Sequence, residues 1–287
     1  MVKRTGSLLG CGMVAKVQPL AVALSIAGSD SGAGAGIQAD LLSFARCGVY
    51  GTTAITCLTA QNPVGVSDLH PVPGRHVAAQ CRQVLGYFDV RAAKTGMLLN
   101  REIIETVAGI LADQPQLPVV VDPVMVATSG AVLLEPEAIE ALKAEMLPRA
   151  ALLTPNLDEA GVLIGKKPDT VETMKTAART LFDTYGAPVL LKGGHLEGDS
   201  LTDLLVTAPD TLDYFHAERQ TSVQTHGSGC TLSAAIAAHL ARGLAIPEAI
   251  AAGHAYLQAG LKQPLRLGDE SFIDHDGEER RGDGTTP

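Results

Sequence analysis

AVALSIAGSDSGAGAGIQADLLSFARCGVYGTTAITCL, Ala21 to Leu58, is the stretch from which the fold is read. Its first seven residues are apolar on both faces, as in a strand covered on both sides. A glycine-rich turn follows, then a helical stretch near 36–47, then a second apolar run, TTAITCL (52–58). Two such runs joined by a helix form a βαβ unit and predict parallel pairing. The same alternation continues downstream. Strands are expected at RAAKTG (91–96), PVVVD (118–122), ALLT (151–154) and APVLLKG (187–193), with helical stretches near 73–86, 100–112, 135–147 and 170–185. The fold class is therefore α/β, with a mostly parallel central sheet. Beyond Gly193 the pattern changes. LTDLLV (201–206) and DTLDYFHAE (210–218) read as an antiparallel pair at a sheet edge, followed by helices near 229–242 and 247–262. Gly243 is a good residue to close the first of these helices.

Composition sets the outer bounds. The 287 residues are 46% hydrophobic and 18% charged, which suits a globular chain with a sizeable core. Aromatics are only 3% and tryptophan is absent, so the core is built from Ala, Val, Leu and Ile. The net charge of −9 argues against a nucleic-acid backbone as partner. It leaves room for a nucleotide held by backbone N–H groups. The cysteines at 11, 47, 57, 81 and 230 are odd in number and form no CxxC pair, which points to neither a disulfide framework nor a zinc site. A cytoplasmic compartment is the expectation. No run reaches the roughly 18 apolar residues of a membrane span, so no membrane is expected. The first 20 residues carry too short an apolar run for a signal segment and are expected to form a flexible leader. Residues 21–267 are expected to form one domain, and the charged, glycine-rich stretch 268–287 a disordered tail.

In open parallel sheets, ligands bind outside the carboxyl ends of the strands, and the polar residues cluster there. After the first strand, AGSDSGAGAGIQAD (27–40) fails the dinucleotide fingerprint: Gly32 and Gly34 would need glycine where Ile37 stands, and no P-loop is present. Ser29, Asp30, Gln38 and Asp40 nevertheless mark it as a ligand turn. After the second strand, Gln61 offers a donor and an acceptor suited to the edge of a heterocycle. After the fourth, Asp122 is placed to hold a hydrated Mg²⁺. Asn156 and Glu159, three apart, share a helix face; with Asp122 they form a candidate magnesium–phosphate cluster, although Asn156 alternatively serves as an N-cap. Lys192 can reach a phosphate as a point charge. In THGSGC (225–230), Gly227, Ser228 and Gly229 can turn their N–H groups inward as an anion hole at a helix start. Cys230 follows on the first turn, where the helix dipole is expected to lower its pKa. His226 precedes the glycines and is expected to point away.

The ordered set AGSDSGAGAGIQAD, TAQN, KTGM, DPVMVATSG, TPNLDEA, KGGH and THGSGCTLSAA resembles the hydroxymethylpyrimidine/phosphomethylpyrimidine kinases of thiamine biosynthesis, a branch of the ribokinase-like superfamily. The likeness runs from about Ala21 to Gly243. It implies a three-layer α/β/α sandwich, a homodimer, and ATP with Mg²⁺ as the phosphoryl donor. It implies phosphorylation of 4-amino-5-hydroxymethyl-2-methylpyrimidine and then of its monophosphate. By the same resemblance Gln61 aligns with the pyrimidine-reading residue, and Gly28, Asp40, Met97 and Val124 with further substrate contacts. Asn156, Glu159 and Lys192 fall on the nucleotide–magnesium side, and Gly227 to Cys230 on the anion hole and catalytic position. This chain departs from the pattern at Ala33, where a glycine is usual, at Thr128, where a lysine is often found, and at Ser228, where the usual threonine keeps its hydroxyl as serine. A pyridoxal kinase of the same branch is the nearest alternative. A non-catalytic pyrimidine sensor is a different class of reading, disfavoured because Asp122, Glu159, Lys192 and Cys230 are all retained.

Overall fold

The computed structural model describes residues 19–125, 134–194, 196, 200–220, 223–268 and 270–276. Thr128 and the leader through residue 18 lie outside them. The first strand, β1 (Ala21–Asp30), runs into α1 (Gly36–Arg46) and returns as β2 (Val49–Asn62). β1 and β2 pair in parallel, from Ala21 opposite Val49 to Asp30 opposite Thr59. β3 (Gly65–Pro71) folds back antiparallel on β2. Then α2 (Gly74–Tyr87), β4 (Val90–Thr95), α3 (Arg101–Ala112), β5 (Val119–Val121) and α4 (Pro136–Ala141) follow, and after them β6 (Leu152–Leu153), α5 (Leu157–Ile164), α6 (Val171–Tyr185) and β7 (Val189–Leu191). An antiparallel pair, β8 (Ser200–Ala208) and β9 (Thr211–Glu218), precedes α7 (Ser228–Ala241) and α8 (Ile246–Lys262). Among the described residues these strands form a nine-stranded sheet in the order β3-β2-β1-β4-β5-β6-β7-β8-β9, parallel from β2 through β7 and antiparallel at both edges.

The parallel strands read as unbroken apolar runs because each face packs on a different helix layer. In β5, Val119 and Val121 join the cluster beneath α2, α3, α4 and α6, while Val120 joins the one beneath α1, α7 and α8. β7 repeats this, with Val189 and Leu191 on one side and Leu190 on the other. The result is the expected three-layer α/β/α arrangement. In α7, Ala234 to Ala238 are all buried, so α7 is the central helix of its layer.

Two expectations are corrected. The helix expected over 135–147 ends as an α-helix at Ala141 and continues as a π-type turn over Leu142–Met146, then a 3₁₀ turn at Leu147–Arg149 where Pro148 cannot donate. The stretch from 268 was expected to be disordered, but its described part is built in. β10 (Leu265–Leu267) pairs with β11 (Glu270–Phe272), and Ile273 is buried against the α7–α8 layer. Tyr256 Oη lies 2.8 Å from His275 Nδ1, and Arg46 donates to the carbonyls of His275 and Asp276. Two adjacent apolar residues, Phe272 and Ile273, among charges gave no sequence periodicity from which this could be read.

Candidate active site

A cavity of about 890 Å³ opens at the carboxyl ends of the parallel strands. The fold brings the sequence-predicted residues there because each stands where its strand stops. Gly28 lies near the end of β1, Gln61 near the end of β2, and Met97 two residues past β4. Asp122 directly follows β5, Asn156 follows β6, and Lys192 directly follows β7. These residues line the cavity together with Val124, Glu159 and Gly227 to Cys230.

Asp40 is not among them. It is fully buried beneath the floor, where both carboxylate oxygens accept from Lys94 Nζ, at 2.9 and 3.0 Å, and one also from Ser25 Oγ at 2.5 Å. Asp40 thus supports a cavity-lining lysine and is no wall of the cavity itself. Sequence reading passed over Lys94 inside KTGM. The signal was a lysine in a strand buried on both faces, which needs a buried carboxylate as partner.

Asn156 is the N-cap of α5. Its side chain accepts from Glu159 N at 2.9 Å, while Glu159 Oε2 accepts from Asn156 N at 2.8 Å, a reciprocal capping box. The capping alternative left open for Asn156 is therefore the one observed, and Glu159 is fixed by it. Asp122 accepts from Lys192 Nζ at 2.9 Å and from Thr154 Oγ1 at 3.2 Å. Burial pushes the Glu159 carboxyl up to about 8, which the Lys192 ammonium opposes and the Asp122 charge reinforces. The two neighbouring buried carboxyl groups thus share the field of Lys192, and Lys94 acts on Asp122 as well. Such a pair of oxygen donors fits a hydrated Mg²⁺, which needs only one or two carboxylates beside water and phosphate.

At the start of α7, Gly227 has φ 79°, and a Cβ there would come within 1.7 Å of the Gly34 carbonyl oxygen. Only glycine lets this turn close on the glycine-rich loop. In that loop Ala33 itself sits at φ 60°, the left-handed region, where the resemblance anticipates glycine. Not all of the three amides expected to form an anion hole are open to a ligand. The Ser228 N–H turns back to the Thr225 carbonyl at 3.1 Å, so the first-turn amides of Gly229 and Cys230 remain, which have no intrahelical acceptor. Lys192 Nζ stands beside this turn, 3.2 Å from where a Cβ on Gly229 would lie.

The direction of the Cys230 pKa is also corrected. Burial pushes the thiol above its ordinary range, opposed by the Lys94 ammonium and the Gly36 amide and reinforced by Asp40 and Asp122. Desolvation outweighs the helix terminus. His226, expected to point away, instead faces the cavity, with Nε2 at 3.2 Å from both Asp30 Oδ2 and Gln61 Nε2.

Known proteins give the same reading. The chain is 49% identical to the hydroxymethylpyrimidine/phosphomethylpyrimidine kinase of Rhizobium meliloti (strain 1021), over 86% of this chain and 92% of that one. Among solved structures, the phosphomethylpyrimidine kinase of Clostridium difficile 630 superposes with TM-score 0.73 at 38% identity, covering 82% of this chain and 96% of the other. The pyridoxal kinase of Staphylococcus aureus in complex with AMP-PCP does so with TM-score 0.84 at 35% identity, covering 92% and 96%. The family model described as phosphomethylpyrimidine kinase matches residues 30–273, and the chain belongs to that family.

Proposed function

We propose that this enzyme transfers the γ-phosphoryl group of ATP to the hydroxymethyl group of 4-amino-5-hydroxymethyl-2-methylpyrimidine, and then a second phosphoryl group to the monophosphate, in thiamine biosynthesis. The observation that carries this reading is one cavity with two unlike ends joined at Cys230. At one end, Gln61, Gly28, Met97 and Val124 offer a flat, mostly apolar slot with one amide, which suits an aminopyrimidine ring. At the other, Lys192, Asp122, Asn156 and Glu159 meet the α7 amides, which suits a triphosphate. Beyond them, Leu201, Phe215, Ala217, Leu257 and Leu261 form an apolar wall suited to a purine base.

Lys192 orients and neutralises the phosphates. Bound Mg²⁺, held by Asp122 and Glu159, would supply charge neutralisation on the phosphate oxygens. The Gly229 and Cys230 amides stabilise the charge that develops on the transferring group. In its thiolate form, which the Lys94 ammonium anchored by Asp40 favours, Cys230 accepts the proton of the substrate hydroxyl and becomes the thiol. We further propose a homodimer in the cytoplasm; Cys47, Cys57, Cys81 and Cys230 are free thiols. A pyridoxal kinase is the second reading, favoured by the 0.84 superposition on the Staphylococcus aureus enzyme. The 49% identity to a pyrimidine kinase outweighs the 35% to that enzyme. The test is mass spectrometry of products from ATP, Mg²⁺ and the pyrimidine alcohol. Mono- and diphosphate are expected; phosphorylation of pyridoxal with none of the pyrimidine would overturn the reading.

A further inference from the structure

The side-chain amide of Gln61 lies in a network whose donors and acceptors do not match if its nitrogen faces His226. Asp30 is buried, and its carboxylate accepts from the amides of Gly32 (2.8 Å) and Ala35 (2.9 Å) as well as facing His226 Nε2. The His226 bond and the two backbone amides hold its carboxyl below the usual range against the opposing effect of burial, so it is an acceptor only. His226 Nε2 must therefore carry a proton and donate it. The Gln61 atom 3.2 Å from that nitrogen must then be an acceptor, the amide oxygen.

A second, independent mismatch lies on the other side of the amide. Thr59 Oγ1 has one proton, and it donates to the Ser29 carbonyl at 2.9 Å. It cannot also donate to Gln61 Oε1 at 3.1 Å. Turning the amide by half a rotation removes the donor–donor clash, with the single His226 Nε2 proton shared between Asp30 Oδ2 and the Gln61 oxygen at 3.2 Å each, and lets the nitrogen donate to Thr59. Oxygen and nitrogen of an amide have the same shape, so this turn moves no other atom. The Gln61 backbone is fixed independently, since Ser31 Oγ donates to its carbonyl at 2.7 Å and accepts from its N–H at 2.8 Å.

We propose that His226 and Thr59 are positioning residues that lock the Gln61 amide with its oxygen toward His226 and its nitrogen toward Thr59, and so set which ring edge the site accepts. So locked, Gln61 keeps one acceptor lone pair and one N–H in a fixed order. That order matches a ring nitrogen beside an exocyclic amino group and mismatches a ring that offers the reverse order. The proposal rests on Gln61 being the reader of the pyrimidine. It also makes the α7 turn, through His226, part of substrate selection as well as of phosphoryl transfer.

The test uses the full-length enzyme and two probes, 4-amino-5-hydroxymethyl-2-methylpyrimidine and pyridoxal. Thr59→Val is nearly isosteric and removes the hydroxyl, both the acceptor for Gln61 and the donor to the Ser29 carbonyl. It is expected to raise KM for the pyrimidine roughly tenfold, the scale of one unmade buried hydrogen bond, with kcat within about twofold and with discrimination against pyridoxal reduced. Thr59→Ser is expected to restore both values, and His226→Leu to reproduce the KM effect. ¹⁵N NMR of the unmodified enzyme is expected to show His226 protonated at Nε2 at neutral pH. An unprotonated Nε2 overturns the proposal whatever the variants do. If Gln61→Ala raises KM and Thr59→Val does not, the lock is wrong while the reader stands. If Gln61→Ala leaves KM unchanged, the reader and the lock fall together.

Discussion

Cys230 and Lys94 show how strongly burial decides what a single side chain can do. A thiol held above its ordinary range is protonated at neutral pH, so the fraction able to accept a proton rises about tenfold per pH unit until the thiol titrates. Turnover at saturating substrate is therefore expected to climb through the weakly alkaline range. In Cys230→Ala it should fall by roughly 10²–10⁴-fold and lose that slope, with ATP affinity little changed. A pH-rate series on both proteins checks this; equal slopes would leave Cys230 as a packing residue. Lys94 and Asp40, both fully buried, bear on stability. Removing the ammonium strands a buried carboxylate, so Lys94→Met should cost about 3–5 kcal/mol in urea unfolding. Adding Asp40→Asn to that variant should recover most of the loss, because no uncompensated charge then remains. A double variant no more stable than the single one would mean that the pair's packing, and not its charge, supplies the stability.

At the scale of elements, α7 carries two glycines in the left-handed region, and their surroundings separate function from stability. Gly243 closes the helix at φ 90° with open space around it. Gly243→Ala should cost only about 1–2 kcal/mol of backbone strain and leave kinetics unchanged. Gly227 opens the helix against the Gly34 carbonyl, so Gly227→Ala must push the α7 turn away from the glycine-rich loop. That moves the first-turn amides and His226 away from Asp30, and kcat should fall at least tenfold in a chain that still folds, measured by turnover beside circular dichroism. Equal kinetics for the two variants would show that the contact between loops does not matter. The elements themselves were largely legible. All six parallel strands were read, because burial on both faces leaves apolar runs that need no period. β3 was not read, because GVSDLHP is mostly exposed at the sheet edge and its pairing with β2 comes from the hairpin. The strand-end rule found polar residues of the cavity wall such as Gln61, Asp122, Asn156 and Lys192. It missed Lys94 and misread His226, because what orients each is a partner far along the chain: 54 residues away for Lys94 and Asp40, 165 for Gln61 and His226.

For the whole molecule, the described C-terminal stretch closes the layer that carries α7. Ile273 packs with α8 residues such as Leu257 and Leu261, and the Asp274 N–H donates to the Gly260 carbonyl at 3.2 Å. Gly260 has no room for a side chain, since a Cβ would lie 2.5 Å from the Asp274 carbonyl oxygen. The chain from 270 to 276 therefore fills a groove along α8. α8 in turn packs on α7, whose first turn is the proposed anion hole. Burying one isoleucine contributes about 1.5–3 kcal/mol, whereas the partly exposed Arg46–Asp276 pair adds little by comparison. A chain stopped after Leu267 should thus lose about 2–3 kcal/mol relative to one stopped after Asp276, seen as a lower urea midpoint at unchanged m-value. At temperatures where both chains remain folded, their KM for the pyrimidine should agree, because no residue beyond Leu261 lines the cavity among those described. Equal urea midpoints would show that Ile273 and its neighbours merely rest on the surface. A raised KM in the shorter chain would instead mean that the α7 turn depends on this stretch for its position.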